Sequence, residues 1–456
     1  MYSMPIGVVP KPHSDKLRLV VDQSAEPFSL NSMIPKHEGS IQLDNLRDFG
    51  RIFRNVHKKF GNVKLVAFKS DVSRAYRLLP VHPLWQIRQI VTIDGLRHVN
   101  RCNHFGNRAA GRVWGCFIGL VLWIAIFIKG HDDLLGYVDD DFSWEFESNM
   151  LWYKPYHKYF PTKQCRLLEL WDELGIPHEE KKQVFGSPLT IIGLDVDPNI
   201  MTITMPLQAR DDLILAIRTF SCEGRRHPLR EFQSLAGWIN WALNAYPLLR
   251  PGLSVMYAKM SGKDKPHQPI WVSRSLVREL IWIADHIQQS NGVHIMESLE
   301  WNIGDADEVL FTDACPSGLA FWSPRLLLGF QYSVSHISNH NIFFFEALAV
   351  LSALDFAVHN ISPLPRRLAI FTDNTNSVDV FNSLHAKPPI NPILLTAMDL
   401  LIASNISLHV CHIAGENNIV ADALSHFRND MARSSAPGLS IGLFQPPHLM
   451  LGAATT

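Results

Sequence analysis

The chain has 456 residues, 47% hydrophobic and 19% charged, a globular composition with apolar mass enough for two to four domains. Six scattered cysteines (Cys102, Cys116, Cys165, Cys222, Cys315, Cys411) without a CxxC pair speak against a disulfide scaffold or a zinc knuckle and fit a reducing compartment. The net charge of −1 conceals an asymmetry: residues 1–130 carry 19 Lys+Arg against 8 Asp+Glu, a balance of +11, which leaves −12 for the rest. A cationic front segment suits a polyanion, although a chance imbalance spread around a surface gives the same count. The opening MYSMPIGVVPKPHSD lacks a basic region followed by an apolar core, so no signal peptide is read.

Residues 5–24 read as a hairpin, Gly7-Val8-Val9 forming one strand, Lys11 to Lys16 the turn and Leu17 to Val21 the return. Lys11, Lys16 and Arg18 would make it a cationic flap suited to a triphosphate, or simply a solvated hairpin. Residues 64–83 predict a strand ending at Asp71 and then a turn into a short helix. Asp71 is there a site carboxylate at a strand end or an N-cap for Val72-Ser73-Arg74. Tyr76, five residues on, can wall off a pocket above it. Residues 103–117 form a Gly-containing loop that admits a close backbone or base. Val113 to Ile128 is a run of sixteen uncharged residues between Arg112 and Lys129, short of the ~20 that span a bilayer, and predicts a helix buried under a sheet.

Leu134 to Trp144, LLGYVDDDFSW, predicts a tight β-hairpin with Asp139, Asp140 and Asp141 at its tip. Adjacent carboxylates repel, so their concentration calls for a cation, and oxygen-only ligands suit Mg²⁺ or Mn²⁺. A solvated acidic turn is the plain alternative. Residues 206–300 predict helices: Leu235, Trp238 and Trp241 share a face that packs in a core or stacks on bases, Pro251-Gly252 marks a break, and Ser273 to Gln289 is amphipathic.

A second constellation follows. Glu308 to Asp313 is a strand ending in Asp, with a turn at 314–318 and a return strand from Leu319 to Trp322. Phe343 to His359 is a helix carrying Glu346, Leu368 to Asn374 a strand ending in Asp373, and Leu408 to His426 places Asp422 on a short helix. Each acid alone reads as a turn or a solvated helix residue. Four carboxylates from separate elements have little reason to be buried together except to bind metal. Ser434 to Thr456 is Pro/Gly-rich and predicts a disordered tail.

The order of cationic hairpin, D-x-x-x-A-Y at Asp71–Tyr76, F-G loop with apolar helix, and Y-V-D-D at Tyr137–Asp140 resembles a reverse transcriptase. Leu174 to Phe185 and Ile192-Gly193-Leu194-Asp195 resemble its later palm motifs, and Asp313, Glu346, Asp373 and Asp422 resemble the carboxylates of the RNase H fold. Asn418 to His426, NIVADALSH, is similar to the ending found in DIRS-like and long-terminal-repeat elements. Asn107 and Gly111 depart from the usual loop pattern, where Leu and Pro are common.

The resemblance implies an α+β chain, a right-hand polymerase (fingers, palm, thumb) followed by an RNase H-like α/β domain with a mixed five-stranded sheet. Its domains would be 1–205 fingers and palm, 206–303 thumb and connection, 304–430 RNase H-like, and 431–456 tail. It also implies an RNA-directed DNA polymerase with ribonuclease H activity, two Mg²⁺ or Mn²⁺ ions at each site, and an RNA template, DNA primer, RNA/DNA hybrid and dNTPs as partners, with no membrane and no zinc. By the resemblance, Asp71, Asp139 and Asp140 hold the polymerase ions, and Asp313, Glu346, Asp373 and Asp422 the nuclease ions. Tyr76 would be the steric gate, Lys11 and Arg18 would cradle phosphates, and Phe105 and Gly106 would support the template–nucleotide pair. Lys182 would protonate pyrophosphate, with Lys181 as the alternative. His412, ten residues before Asp422, stands where some RNase H enzymes carry a mobile His and reads here as a strand residue. The rival expectation is a truncated, non-catalytic remnant that at most binds nucleic acid, its missing N-terminal piece belonging to a longer reading frame.

Overall fold

The computed structural model describes residues 3–10, 17–25, 28–35, 37, 43–290, 301–334 and 341–447. They divide into two compact units, Met1–Ile203 and Thr204–Thr456. The predicted flap turn, with Lys11 and Lys16, lies outside the described residues, as does the side chain of Arg18.

The first unit opens with the antiparallel pair β1 (Ile6–Pro10) and β2 (Leu17–Val21). Then come α1 (Leu46–Phe60), β3 (Leu65–Asp71), a short α2 (Pro83–Gln86), the hairpin β4 (Ile90–Ile93) and β5 (Leu96–Val99), and α3 (Ala110–Trp123). The hairpin β6 (Leu135–Tyr137) and β7 (Asp140–Phe146) is followed by β8 (Met150–Tyr153), β9 (Lys158–Pro161), α4 (Thr162–Leu174) and the short strands β10 (Val184–Gly186), β11 (Leu189–Ile191), β12 (Leu194–Asp197) and β13 (Thr202–Thr204). The sheet that matters runs in the order β10-β3-β7-β6.

A capping box of Asn45 and Asp48 starts α1, which buries Phe49, Phe53 and Val56 on one stripe. Phe49 meets Phe142 of β7 edge-on at 5.2 Å. Because side chains alternate along β7, the next residues face the other way, where Phe68, Trp114, Ile118, Val121, Leu168 and Trp171 form the main core. Each such buried side chain contributes about 1.5–3 kcal/mol, enough to fix the sheet between two helical layers.

Helix α3 departs from expectation. It runs on through a π-helical turn, Ile124–Ile128, and is only half covered. Trp114, Ile118, Val121 and Ala125 are buried, whereas Val113, Leu120, Trp123, Phe127 and Ile128 are exposed. The stretch is apolar on every side, so its composition carried no sign of which face would be left open. Ala110–Ile128 and Ile342–Asn360 are both long and apolar enough to cross a membrane; 22% of the first is buried against 67% of the second.

The second unit starts with α5 (Leu207–Phe220), β14 (Arg226–Pro228), α6 (Leu229–Ala242), α7 (Ser254–Met260), β15 (Pro269–Trp271) and α8 (Arg274–Gln289). In α6 the buried stripe is Leu229, Phe232, Leu235, Ala236, Ile239 and Ala242. Trp238, expected in the core, is exposed, because the stripe follows Leu235 and Ile239 and Trp238 sits beyond its edge.

Next come β16 (Glu308–Cys315), β17 (Gly318–Ser323), β18 (Leu328–Ser333), α9 (Ile342–Asn360), β19 (Arg367–Thr372), α10 (Thr375–Ser383), α11 (Asn391–Ser404), β20 (Ser407–His412), α12 (Ile419–Ser425), α13 (Asn429–Ser435) and β21 (Ser440–Leu443). Their sheet has six strands, β20-β19-β16-β17-β18-β21, where five were expected. β16, β17 and β18 are antiparallel neighbours, while the β16–β19, β19–β20 and β18–β21 pairs are parallel. The sixth strand comes from the segment predicted to be a disordered tail. Ala432, Ala436 and Leu439 bury themselves with Ala423 and Leu424 of α12, and that anchoring outweighs the local Pro and Gly. Residues 448–456 lie outside those described. On the other face Leu348, Leu351 and Leu354 of α9 pack with Leu394 and Met398 of α11. Asn391 at the start of α11 donates to Pro251 O (2.9 Å) and to Glu279 Oε1 of α8 (2.7 Å), tying the leading helices to this layer.

Gly318 is where β17 passes under α12. A methyl group there would overlap the Ser425 carbonyl oxygen and the Phe427 ring. Gly318→Ala is therefore expected to cost about 1–3 kcal/mol through overpacking, seen as a lower urea midpoint at unchanged slope. A midpoint within error of the parent would show that α12 is not held this closely.

Candidate active sites

The first site stands at one end of the β3–β7 ladder. The register pairs Asp71 with Asp140 and Ser70 with Asp141, and β6 closes the hairpin by pairing Tyr137 with Asp140. Val138 and Asp139 form the turn, with Val138 at φ +59, a conformation that β-branched residues resist. Two hydrogen bonds hold it: the Trp114 indole of α3 donates to Val138 O, and Val72 N donates to Asp139 O at 3.2 Å. The apolar helix thus places the acidic turn.

The three consecutive acids do not all sit at the tip. Asp140 and Asp141 belong to β7, and alternation sends Asp141 to the core side, where it is 1% exposed with neither carboxylate oxygen hydrogen-bonded. Burial, and then the charges of Asp140 and Asp44, hold it well above the usual carboxylate range. Asp139 is raised by burial and then by Asp71, and Asp140 by burial first, with Lys69 opposing.

Two lysines face this set. Lys182 Nζ lies 2.7 Å from Asp71 Oδ1, and Lys69 Nζ 3.5 Å from Asp140 Oδ2. Lys181 pairs with Glu179 at 2.7 Å instead. Among the described residues, Asp71, Asp139 and Asp140 do not bring three ligand atoms within 4.8 Å of one another. Tyr76 is half-buried, 4.8 Å from the Phe105 ring, and its hydroxyl is raised by burial and by the charge of Asp139. Gly106 sits at φ +96, where its carbonyl accepts from Asn31 Nδ2 at 2.8 Å.

The second site is more closely gathered. β16 and β19 run parallel with Phe311 opposite Phe371, which brings Asp313 beside Asp373 just past the end of β19. Asp313 does not end its strand as expected, since β16 pairs with β17 through to Cys315. Glu346 projects from α9 and Asp422 from α12, whose N-terminus is tied down by Asn418 Nδ2 donating to Thr312 O at 2.9 Å. Ligand atoms of Asp313, Glu346 and Asp373 lie within 4.8 Å of one another, as do those of Asp313, Asp422 and His426. The two triads share Asp313. Opposed ligands on one Mg²⁺ span about 4.2 Å, so this donor set, carboxylates with one imidazole, fits divalent cations.

Asp313 is 5% exposed and receives the Ser425 hydroxyl at 2.6 Å. Burial pushes it up to about 6, with Asp373 and Asp422 adding and Ser425 opposing. Burial also pushes Glu346 up to about 9, helped by Asp313 and Asp373. A carboxyl raised in the folded chain stabilises it fully below the unfolded value and loses that contribution as pH climbs through the folded value. The metal-free chain is therefore expected to lose thermal stability through Glu346 from about pH 4.5 towards 9, and Glu346→Gln to flatten that slope. Added Mg²⁺ should raise the melting temperature of the parent in the same window. Calorimetry across the range checks this, and an unchanged slope in the variant would refute it.

His412 ends β20, exposed, and belongs to neither triad. The sequence reading passed over His426 and Ser425, although Asp422 and His426 are four residues apart on a predicted helix and must share a face. It also passed over Lys69, and over Gly415, where a methyl group would come 3.2 Å from Asp373 Oδ2.

No protein-family model matches the chain, and no curated protein sequence matches it. Among solved structures it is similar to foamy viral protease-reverse transcriptase in three complexes. The dRH form with double-stranded DNA is 15% identical, covering 90% of this chain and 65% of that one, at a TM-score of 0.45. The complex with RNA/DNA hybrid is 16% identical, covering 90% and 50%, at 0.45, and a further double-stranded DNA complex is 15% identical, covering 91% and 78%, at 0.45. The chain thus spans half to about four fifths of those structures' lengths, and likeness at this level carries no inference about chemistry.

Proposed function

We propose that the chain is an RNA-directed DNA polymerase with ribonuclease H activity, of the kind encoded by retrotransposable elements, extending a DNA primer on an RNA template and cutting the RNA strand of the hybrid. The observation that carries this reading is the pair of ligand triads sharing Asp313, one of three carboxylates and one of two carboxylates with an imidazole, assembled from four separate elements. Bound divalent cations would supply the charge that ionises an attacking oxygen and steadies a departing one.

Asp313 would hold a position common to both ions of the nuclease centre, with Glu346 and Asp373 on one side and Asp422 on the other. In the first unit, Asp71, Asp139 and Asp140 would orient the dNTP and primer end. Lys182, which pairs with Asp71, would give a proton to pyrophosphate. Tyr76 would exclude a ribose 2′-hydroxyl, Phe105 and Gly106 would support the template–nucleotide pair, and Lys11 and Arg18 would meet phosphates.

A second reading, a remnant that binds nucleic acid without turnover, is favoured by one observation: lysines rather than a third ligand stand against Asp71 and Asp140. One assay separates the two. A labelled primer annealed to a differently labelled RNA homopolymer is incubated with the complementary dNTP and Mg²⁺ or Mn²⁺. Extension together with RNA cleavage is expected; binding without either product would favour the remnant.

A further inference from the structure

We propose that His426 supplies a nitrogen ligand to the cation shared with Asp313 and Asp422, so that this half of the centre prefers Mn²⁺ to Mg²⁺. The inference rests on the nuclease reading and concerns the same centre. It starts from placement. Asp422 and His426 are one turn apart at the end of α12, and His426 N donates to Asp422 O at 3.1 Å, which sets the ring beside the carboxylate. Three oxygens then surround Nδ1: Asp422 O at 3.0 Å, Ser425 Oγ at 3.1 Å and Asp422 Oδ1 at 3.4 Å.

Ser425 links this ring to the opposite element, since the same hydroxyl reaches Asp313 Oδ2 on β16 at 2.6 Å. A histidine that merely caps a helix C-terminus needs only the helix carbonyl. Here a ring nitrogen also lies within 4.8 Å of carboxylate oxygens from two elements, one of them almost fully buried. With a carbonyl oxygen at 3.0 Å, Nδ1 carries the ring hydrogen and donates it, so the lone pair a neutral imidazole offers an entering ion is on Nε2, on a side chain that stays 35% exposed.

The chemistry of the two halves then differs. Asp313, Glu346 and Asp373 offer oxygen alone, the donor set Mg²⁺ favours. Asp313, Asp422 and His426 offer two oxygens and a nitrogen, and imidazole is taken more readily by Mn²⁺ than by Mg²⁺. A neutral imidazole also completes this half without adding charge to four carboxylates already crowded together.

Electron spin-echo modulation of Mn²⁺ bound to the full chain reads the ligand directly. The expected result is a nitrogen coupling typical of a bound imidazole that disappears in His426→Gln. In that variant the ratio of Mn²⁺- to Mg²⁺-supported hybrid cleavage should fall about tenfold, the scale on which ligand-shell changes act. Bound Mn²⁺ without nitrogen coupling in the parent, or a coupling that survives in His426→Gln, would overturn the proposal. Asp313→Asn separates the two failures. If it removes Mn²⁺ and cleavage but the parent shows no nitrogen, only the role of His426 falls. If it leaves bound Mn²⁺ and cleavage unchanged, the nuclease reading falls with it.

Discussion

Asp373→Asn is expected to lower cleavage of the RNA strand about 10³-fold, the loss of roughly 4 kcal/mol of transition-state stabilisation when one metal-binding carboxylate is neutralised. Asp373 follows β19 and belongs to the triad with Asp313 and Glu346. Its neighbour Asn374, not Asp373, caps α10 by accepting from Ser377 N at 2.9 Å, so the helix should survive the change. Primer extension should stay within about twofold of the parent, because the first site shares no residue with this one. The comparison is made on one hybrid carrying separate labels on primer and RNA. Cleavage that persists in the variant would remove Asp373 from the chemistry.

Asp139→Asn is expected to do the converse, lowering incorporation about 10³-fold while cleavage continues. Asp139 occupies the hairpin turn, where the bond holding it uses the backbone carbonyl, accepted from Val72 N, so Asn leaves the turn's support in place. What is lost is a carboxylate whose ionisation is already opposed by burial and by Asp71, the electrostatic situation that a cation relieves. Incorporation unaffected by the change would take the first site out of the polymerase reading. Circular dichroism and the melting temperature of both variants guard against loss of fold as the cause.

Much of this was legible because charge in an apolar setting is conspicuous. Asp71 at the end of LVAFKSD, and Asp139 and Asp140 between a glycine-containing apolar run and Phe142-Ser143-Trp144, stood out against their neighbours. The ladder then brought Asp71 opposite Asp140. The four later acids were readable from their order along strand, helix, strand and helix.

What escaped notice depended on packing or on distance through the fold. The four-residue spacing from Asp422 put His426 on the same helix face, but a histidine at a helix end looks the same in sequence whether it caps that helix or faces a carboxylate on a strand, so its nearness to Asp313 was not legible. Lys69 and Asp140 lie far apart in sequence and meet only across two strands. The strand Ser440–Leu443 follows a Pro-Gly pair, and only the burial of Ala436 and Leu439 against α12 makes it pair with β18. Asp141 looked like the third acid of a tip until the pleat turned it inward.

The most direct test is anomalous diffraction from crystals of the chain soaked in Mn²⁺. Two ions about 3.5–4 Å apart are expected, both touching Asp313, one also held by Glu346 and Asp373 and the other by Asp422. Density with no ion between Asp313, Glu346 and Asp373 at saturating Mn²⁺ would contradict the account.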